Sequence, residues 1–236
     1  KKADAVRRCL DKENKCRFIA KEKLKHFVSK DAFNIEGLGK KVIDQFWNLG
    51  LIKKPSNIFS LNYKKIETLE GWGELSVKNL KSAINKSSLI ILDRFIYSLG
   101  IRHIGQENAK LLGNFFKNIN RFTELFNLHK REKLLKNIAE LDGIGSVQLK
   151  SLEEFFSNKK NNEIISSLIK YLKIENSKVF NKNGKLSGKT IMFTGGFERI
   201  SRSEAKSLVE ENGGKVLSNI SNKLSILVTG NNKPTK

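Results

Sequence analysis

The residues with the clearest chemistry in this sequence sit in four short turns: Gly37-Leu38-Gly39, Gly71-Trp72-Gly73, Ile101-Arg102-His103-Ile104-Gly105 and Gly143-Ile144-Gly145. A glycine on either side of one apolar residue lets the chain reverse through positive φ without steric cost, while the middle side chain plugs inward. The second glycine of each copy, at 39, 73, 105 and 145, is expected to hold that positive φ. Amides left facing outward at the start of the following helix, where the dipole is positive, suit a phosphate oxygen. The chemistry is therefore anion binding by backbone donors.

The third copy lacks a Gly-x-Gly and reads Gly100-Ile101-Arg102-His103-Ile104-Gly105. There Arg102 or His103 is available to supply the phosphate contact in place of an amide. A single Gly-x-Gly would be weak evidence, since glycine ends helices in any bundle. Four copies, each after an apolar residue, each before a helical pattern and spaced roughly one supersecondary unit apart, point to tandem helix-hairpin-helix modules.

Two cysteines, Cys9 and Cys16, lie in an N-terminal stretch dense in lysine and arginine. In a reducing compartment such a pair suits a metal better than a disulfide. Two thiolates do not close a structural zinc site, which takes four ligands. Either the remaining ligands precede Lys1 or these are two unrelated thiols. His26 precedes Phe27 and Val28 and reads as a packed or solvent-edge histidine.

The elements that position these turns follow from periodicity. From Asp31 to Asn176 apolar residues recur at three- and four-residue spacing, as in Val42, Ile43, Phe46 and Trp47, or Leu89, Leu92, Phe95, Ile96 and Leu99. The aromatics Phe115, Phe116, Phe155 and Phe156 share those stripes and read as core. A polar stretch, 177–185, reads as a linker. Beyond it the period changes to that of buried strands at 189–194, 215–217 and 224–229. Between the first two lies a helix through Ala205, Leu208 and Val209, with Ser201 and Glu204 as a capping box and Gly213-Gly214 as its stop. Strand, helix, strand with apolar strands implies a parallel sheet.

The chain of 236 residues holds 45 Lys and Arg against 24 Asp and Glu, a net charge of +21, so its natural partner is a polyanion, most simply nucleic acid. A lysine-rich genome would inflate the same count, and asparagine is frequent here too. At 39% hydrophobic residues it can build a core, in about two domains. No apolar run approaches a bilayer's thickness and no signal peptide opens it, so a cytoplasmic protein is expected. It starts at Lys1 without Met and stops just after Pro234, which reads as a piece of a longer protein.

In order, the cysteine pair, His26-Phe27-Val28-Ser29, Ile35-Glu36-Gly37-Leu38-Gly39, four hairpins and the Thr194-Gly195-Gly196 strand end resemble the C-terminal half of bacterial NAD-dependent DNA ligases. The resemblance covers the whole chain. It implies that residues 1–26 are the second half of a four-cysteine zinc finger, with Cys9 and Cys16 as ligands. It further implies a helix-hairpin-helix DNA-binding domain at 27–176, a linker at 177–185 and the start of an α/β BRCT domain with a parallel sheet at 186–236. The fold class is thus mainly α. In BRCT domains that read phosphopeptides a Ser/Thr-Gly and a later lysine hold the phosphate; Thr194 and Gly195 match the first and Lys236 the second.

The resemblance also implies the parent's activity. An adenylate from NAD passes to a lysine, then to the 5′-phosphate at a nick, and is displaced by the 3′-hydroxyl, during replication and repair. NAD and magnesium are the parent's cofactors, and structural zinc is incomplete here. The lysine sits in a Lys-x-Asp-Gly motif, and this chain has none: its Asp142-Gly143 follows Glu140-Leu141. The chain alone is expected to be inactive, monomeric, without a membrane and associated with the nucleoid. It would grip the backbone of nicked duplex DNA through Gly37, Gly39, Gly71, Gly73, Arg102, Gly105, Gly143 and Gly145, with the BRCT partner open. A non-catalytic helix-hairpin-helix DNA-binding or scaffold module of another repair protein is the other reading of the same residues.

Overall fold

Apolar stripes of residues 16–177 wind into helices that share one core. The computed structural model describes residues 16–177, 184–197, 200, 202–217, 220, 222 and 224–230. The chain divides into two compact units between Ser177 and Lys178, and each is described by itself.

In the first unit the helices run α1 (Arg17–Phe27), α2 (Lys40–Asn48), α3 (Tyr63–Glu67), α4 (Glu74–Ser87), α5 (Leu92–Ser98), α6 (Gln106–Phe116), α7 (Ile119–Thr123), α8 (Leu128–Ile138), α9 (Ser146–Ser157) and α10 (Lys159–Ile169), with 3₁₀ turns at Pro55–Ser60 and Glu124–Phe126. The stripes read from the sequence become the buried faces: Ile43 and Phe46 of α2, Leu92, Phe95 and Ile96 of α5, Leu152 and Phe156 of α9. Phe122 receives the edges of Phe95, Phe116 and Phe156 at centroid distances of 6.4, 5.2 and 5.4 Å. The aromatics are packing residues, in the edge-to-face arrangement their ring quadrupoles favour.

One finding departs from an all-helical reading of 31–176. Strands β1 (Leu89–Ile91) and β2 (Lys173–Glu175) pair in parallel, Ile90 opposite Ile174. Three-residue strands show no usable period, and their pairing joins segments far apart in the sequence. In addition, the boundary expected after residue 26 falls inside α1, whose Leu24 and Phe27 are buried in the shared core. On its outer side Lys21 and Lys25 bind the Asp44 carboxylate of α2 at 2.9 and 3.0 Å.

Two arginines are structural. Arg94 donates to the carbonyls of Lys30 (3.0 Å) and Ala32, and burial pulls its pKa below the ordinary arginine value. Arg131, buried, donates to the carbonyls of Leu125 and Phe156 at 3.2 and 3.0 Å. Both satisfy carbonyls that helix ends and turns leave without an intrahelical partner.

The second unit follows the strand-helix-strand reading: β3 (Thr190–Thr194), α11 (Arg202–Glu211), β4 (Lys215–Val216) and β5 (Ile226–Thr229). Its sheet has the order β4-β3-β5, with both pairings parallel. Ile191, Ala205 and Val209 are the buried apolar side chains among its described residues. The stop of α11 is the expected one: Gly213 takes φ +83°, and the Gly214 amide returns to the Val209 carbonyl at 2.9 Å. Of the capping box expected at Ser201 and Glu204, Ser201 lies outside the described residues.

Candidate nucleic-acid interface

All four turns share one backbone geometry. The middle residue donates its amide to the carbonyl three residues back: Leu38 to Ile35 (3.3 Å), Trp72 to Leu69 (3.0 Å), Ile104 to Ile101 (3.1 Å) and Ile144 to Leu141 (3.1 Å). The residue before it is left-handed: Gly37 at φ +83°, Gly71 at +80°, His103 at +62° and Gly143 at +95°. A positive φ at the third position is what a type II turn requires. The third copy thus belongs to the series, with His103 standing where the others have glycine. Aligning His103-Ile104-Gly105 on Gly143-Ile144-Gly145 is the sequence signal that marks it.

The expectation for the second glycine is overturned. Gly39, Gly73, Gly105 and Gly145 are the N-cap residues of α2, α4, α6 and α9, with φ of −66°, −109°, −81° and −102° and ψ near 180°. That extended backbone is open to any residue. The physical reason is positional: the N-cap is extended by nature, and the left-handed residue belongs two positions earlier in the turn.

Glycine is nonetheless unusual there for another reason. A Cβ added at Gly39, Gly73 or Gly105 would meet nothing within 4 Å, and at Gly145 only Gln148 Oε1, at 3.3 Å. The fold does not require these glycines. In the same unit α3, α7, α8 and α10 begin on Asn62, Asn118, Asn127 and Asn158, whose side chains accept a first-turn amide. The N-cap glycines of the four hairpin helices offer no side-chain cap, although in α9 the Gln148 Oε1 accepts the Gly145 amide at 3.2 Å. Their starts are exposed, whereas the middle residues Leu38, Ile104 and Ile144 are buried. Trp72 is half-buried, packing on Phe46 and donating to Gln45 Oε1 at 3.3 Å. An exposed helix start with no Cβ beside it leaves first-turn amides that are able to donate to an anion.

The turns are held in pairs. Gly37 faces Leu80 of α4 and Trp72 faces α2, so the first two turns pack against each other's helices. Gly143 faces Leu111 of α6, which ties the fourth turn to the third. Beside them stand Lys40 and Lys41 after the first turn and Arg102 in the third, all exposed. Acidic residues flank the second turn, Glu70 and Glu74, and the fourth, Glu140 and Asp142.

The region between residues 94 and 165, which holds the third and fourth turns, matches the helix-hairpin-helix motif family, and residues 181–236 match the BRCA1 C Terminus (BRCT) domain family. The DNA ligase of Pelagibacter ubique (strain HTCC1062) is 52% identical over 235 residues, 100% of this chain and 34% of that protein. The chain is homologous, end to end, to one segment of DNA ligase. The DNA ligases of Ehrlichia canis (strain Jake) and Rickettsia bellii (strain RML369-C) are 42% and 39% identical, over 94% and 99% of the chain and 33% and 35% of their own lengths. The chain therefore spans about a third of the curated ligases it matches.

The remaining candidate positions are less complete. Cys16 is half-buried at the start of α1, and Cys9 lies outside the described residues. Among the described residues no three His, Cys, Asp or Glu side chains cluster as a metal site would need. Histidine at position 26 is packed, as expected: it hydrogen-bonds the Tyr97 carbonyl through Nε2 at 2.8 Å and meets the Tyr97 ring edge-on. Thr194 ends β3 and Gly195 follows at φ +78°, while Lys236 lies outside the described residues. No helix among the described residues is long and apolar enough to cross a membrane.

Proposed function

We propose that this chain is the DNA-gripping part of an NAD-dependent DNA ligase that seals nicks in duplex DNA during replication and repair. The observation that carries the reading is the contrast in capping. Four helices of the first unit are closed by asparagine, while the four that follow the turns begin on exposed glycine with no side chain to close their first-turn amides, Gln148 taking only the amide of Gly145 itself. Each open start takes one backbone phosphate. Because amides and phosphates carry no base information, the grip is independent of sequence, as sealing a nick at any position demands. The net charge of +21 adds non-specific attraction to the duplex.

In this reading the turn residues Gly37, Gly71, His103 and Gly143 shape the loops, the capping glycines Gly39, Gly73, Gly105 and Gly145 admit the phosphates, and Arg102 adds a charge at the third loop. The adenylated lysine, NAD and magnesium belong to the remainder of the enzyme, so the chain acts as a monomeric clamp without activity of its own. A zinc ion held by Cys9 and Cys16 would need two further ligands. Thr194 and Gly195, with Lys236, are the corresponding candidates for a phosphate contact in the BRCT unit. The protein works in the cytoplasm on the nucleoid.

The test is binding of the full chain to a labelled nicked duplex by fluorescence anisotropy, comparing the parent with Gly39→Val, Gly73→Val, Gly105→Val and Gly145→Val. Their extended backbones keep the fold intact, so weakened binding with native circular dichroism is expected. Four well-folded variants that bind like the parent would remove the hairpins from the interface.

A further inference from the structure

Two of the four open helix starts carry an exposed apolar side chain at the same place. In α4 the second residue after the capping glycine is Leu75, 71% exposed; in α9 it is Val147, 53% exposed. Neither belongs to the buried face of its helix, which in α4 is Val77, Leu80 and Ile84 and in α9 is Leu152 and Phe156. The same position holds Lys41 in α2 and Glu107 in α6. A single exposed leucine or valine is ordinary on any protein surface. Recurrence at one register, in the second and fourth turns only, is a pattern that packing does not account for.

The chemistry beside an amide-bound phosphate is defined. Each phosphate in a DNA strand is flanked by deoxyribose rings, whose carbon faces border the minor groove. A helix start that holds a phosphate on its first amides brings the side chain of its second residue over the neighbouring sugar. Proteins that enter the minor groove do place apolar side chains in it, as wedges between base steps; here the hairpin's phosphate contact would set the side chain on the sugar instead. Carboxylates flank all four turns, Glu36 and Glu107 included, but the second and fourth turns and the first two residues of their helices hold no lysine or arginine, so additional affinity there comes from something other than cations.

We propose that Leu75 and Val147 are apolar minor-groove contacts, each packing on a deoxyribose next to the phosphate its hairpin holds. The inference rests on the reading of the hairpins as phosphate sites. The first and third turns then grip by charge, through Lys40, Lys41 and Arg102, and the second and fourth by amide and sugar contact.

The experiment uses the full chain and a labelled nicked duplex over a range of salt concentrations. Leu75→Ala and Val147→Ala should each weaken binding about threefold to tenfold, as loss of partly buried aliphatic area does. The slope of log affinity against log salt should not change, since no counterion is released by these side chains. Leu75→Lys separates this idea from plain electrostatics: a cation added near DNA should tighten a purely electrostatic complex, whereas loss of the sugar contact weakens it. Tighter binding by Leu75→Lys, or unaltered binding by the double alanine variant while Gly73→Val and Gly145→Val bind weakly, would overturn the inference and leave the hairpin reading standing. If the glycine variants also bind like the parent, the hairpin reading itself fails.

Discussion

A Cβ built on Gly143 would stand 3.0 Å from Cδ1 of Leu111, on a backbone whose φ is +95°. Two residues later, Gly145 has an extended backbone and beside it only the end of the Gln148 side chain, which accepts the Gly145 amide at 3.2 Å. Two glycines of one turn thus do different work: the first shapes the fold and the second leaves room for something outside it.

This separates two sets of variants. Gly143→Ala should lose about 1–2 kcal/mol of stability in urea denaturation, because a left-handed φ is costly for an L-residue and Leu111 is in the way. Gly145→Ala should change stability by less than about 0.5 kcal/mol, as an exposed, unstrained site does. The reverse order would show that the roles are exchanged.

For DNA binding the order should invert. Gly39→Val, Gly73→Val and Gly145→Val should each weaken nicked-duplex binding by about 1–3 kcal/mol, the range for one charge-assisted hydrogen bond. An equilibrium titration with helicity checked by circular dichroism measures this. Unchanged affinity in all three would contradict it.

In the third turn His103 pays the conformational cost that glycine avoids elsewhere, and Arg102 stands exposed beside it. Arg102→Ala should weaken binding at least as much as Gly105→Val. It should also lower the salt slope by about 0.9, the value for one phosphate neutralised on duplex DNA. Loss of affinity without a change of slope would mean that Arg102 does not meet a phosphate.

Helix α1 is tied to the first hairpin helix through one carboxylate. Lys21 and then Lys25 hold Asp44 below the ordinary carboxylate range, and Asp44, then Glu22, hold Lys25 above the ordinary lysine value. The Asp44 contribution is complete above the unfolded carboxylate pKa and is lost as pH falls through its depressed folded value. That of Lys25 is complete below the unfolded lysine pKa and is lost as pH rises through its raised folded value. The protection of backbone amides in α1, corrected for the intrinsic exchange rate at each pH, should therefore fall at both extremes, and Asp44→Asn should flatten most of that dependence, leaving the share of the Glu22–Lys25 pair. Equal exchange in the variant and the parent at neutral pH would show that the pairs hold nothing, as many surface pairs do.

Much of this was legible in the residues because it is local. Glycines 37, 39, 71, 73, 143 and 145 mark the turns, Ile43 and Phe46 or Phe95 and Ile96 mark the buried faces, and Gly213-Gly214 marks the end of α11. The division of labour within a turn was not legible, because a glycine is written identically whether it supplies a left-handed φ or an empty space. The boundary expected after residue 26 cuts α1 because the sequence does not show that the face with Leu24 and Phe27 packs into the core of the helices that follow. The pairing of Ile90 with Ile174 escaped for a similar reason: strands of three residues, distant in sequence, carry no period. Leu75 and Val147 would have emerged from aligning the four turns on their capping glycines rather than on their spacing.

The central claim is that the amides opening α2, α4, α6 and α9 hold the DNA backbone, and amide NMR of the ¹⁵N-labelled full chain titrated with a nicked duplex tests it most directly. The account predicts that the largest shift changes fall on the first-turn amides after Gly39, Gly73, Gly105 and Gly145, while those of the asparagine-capped helices α3, α7, α8 and α10 move little. Large changes confined to the asparagine-capped helices, with the four hairpin starts unmoved, would contradict it.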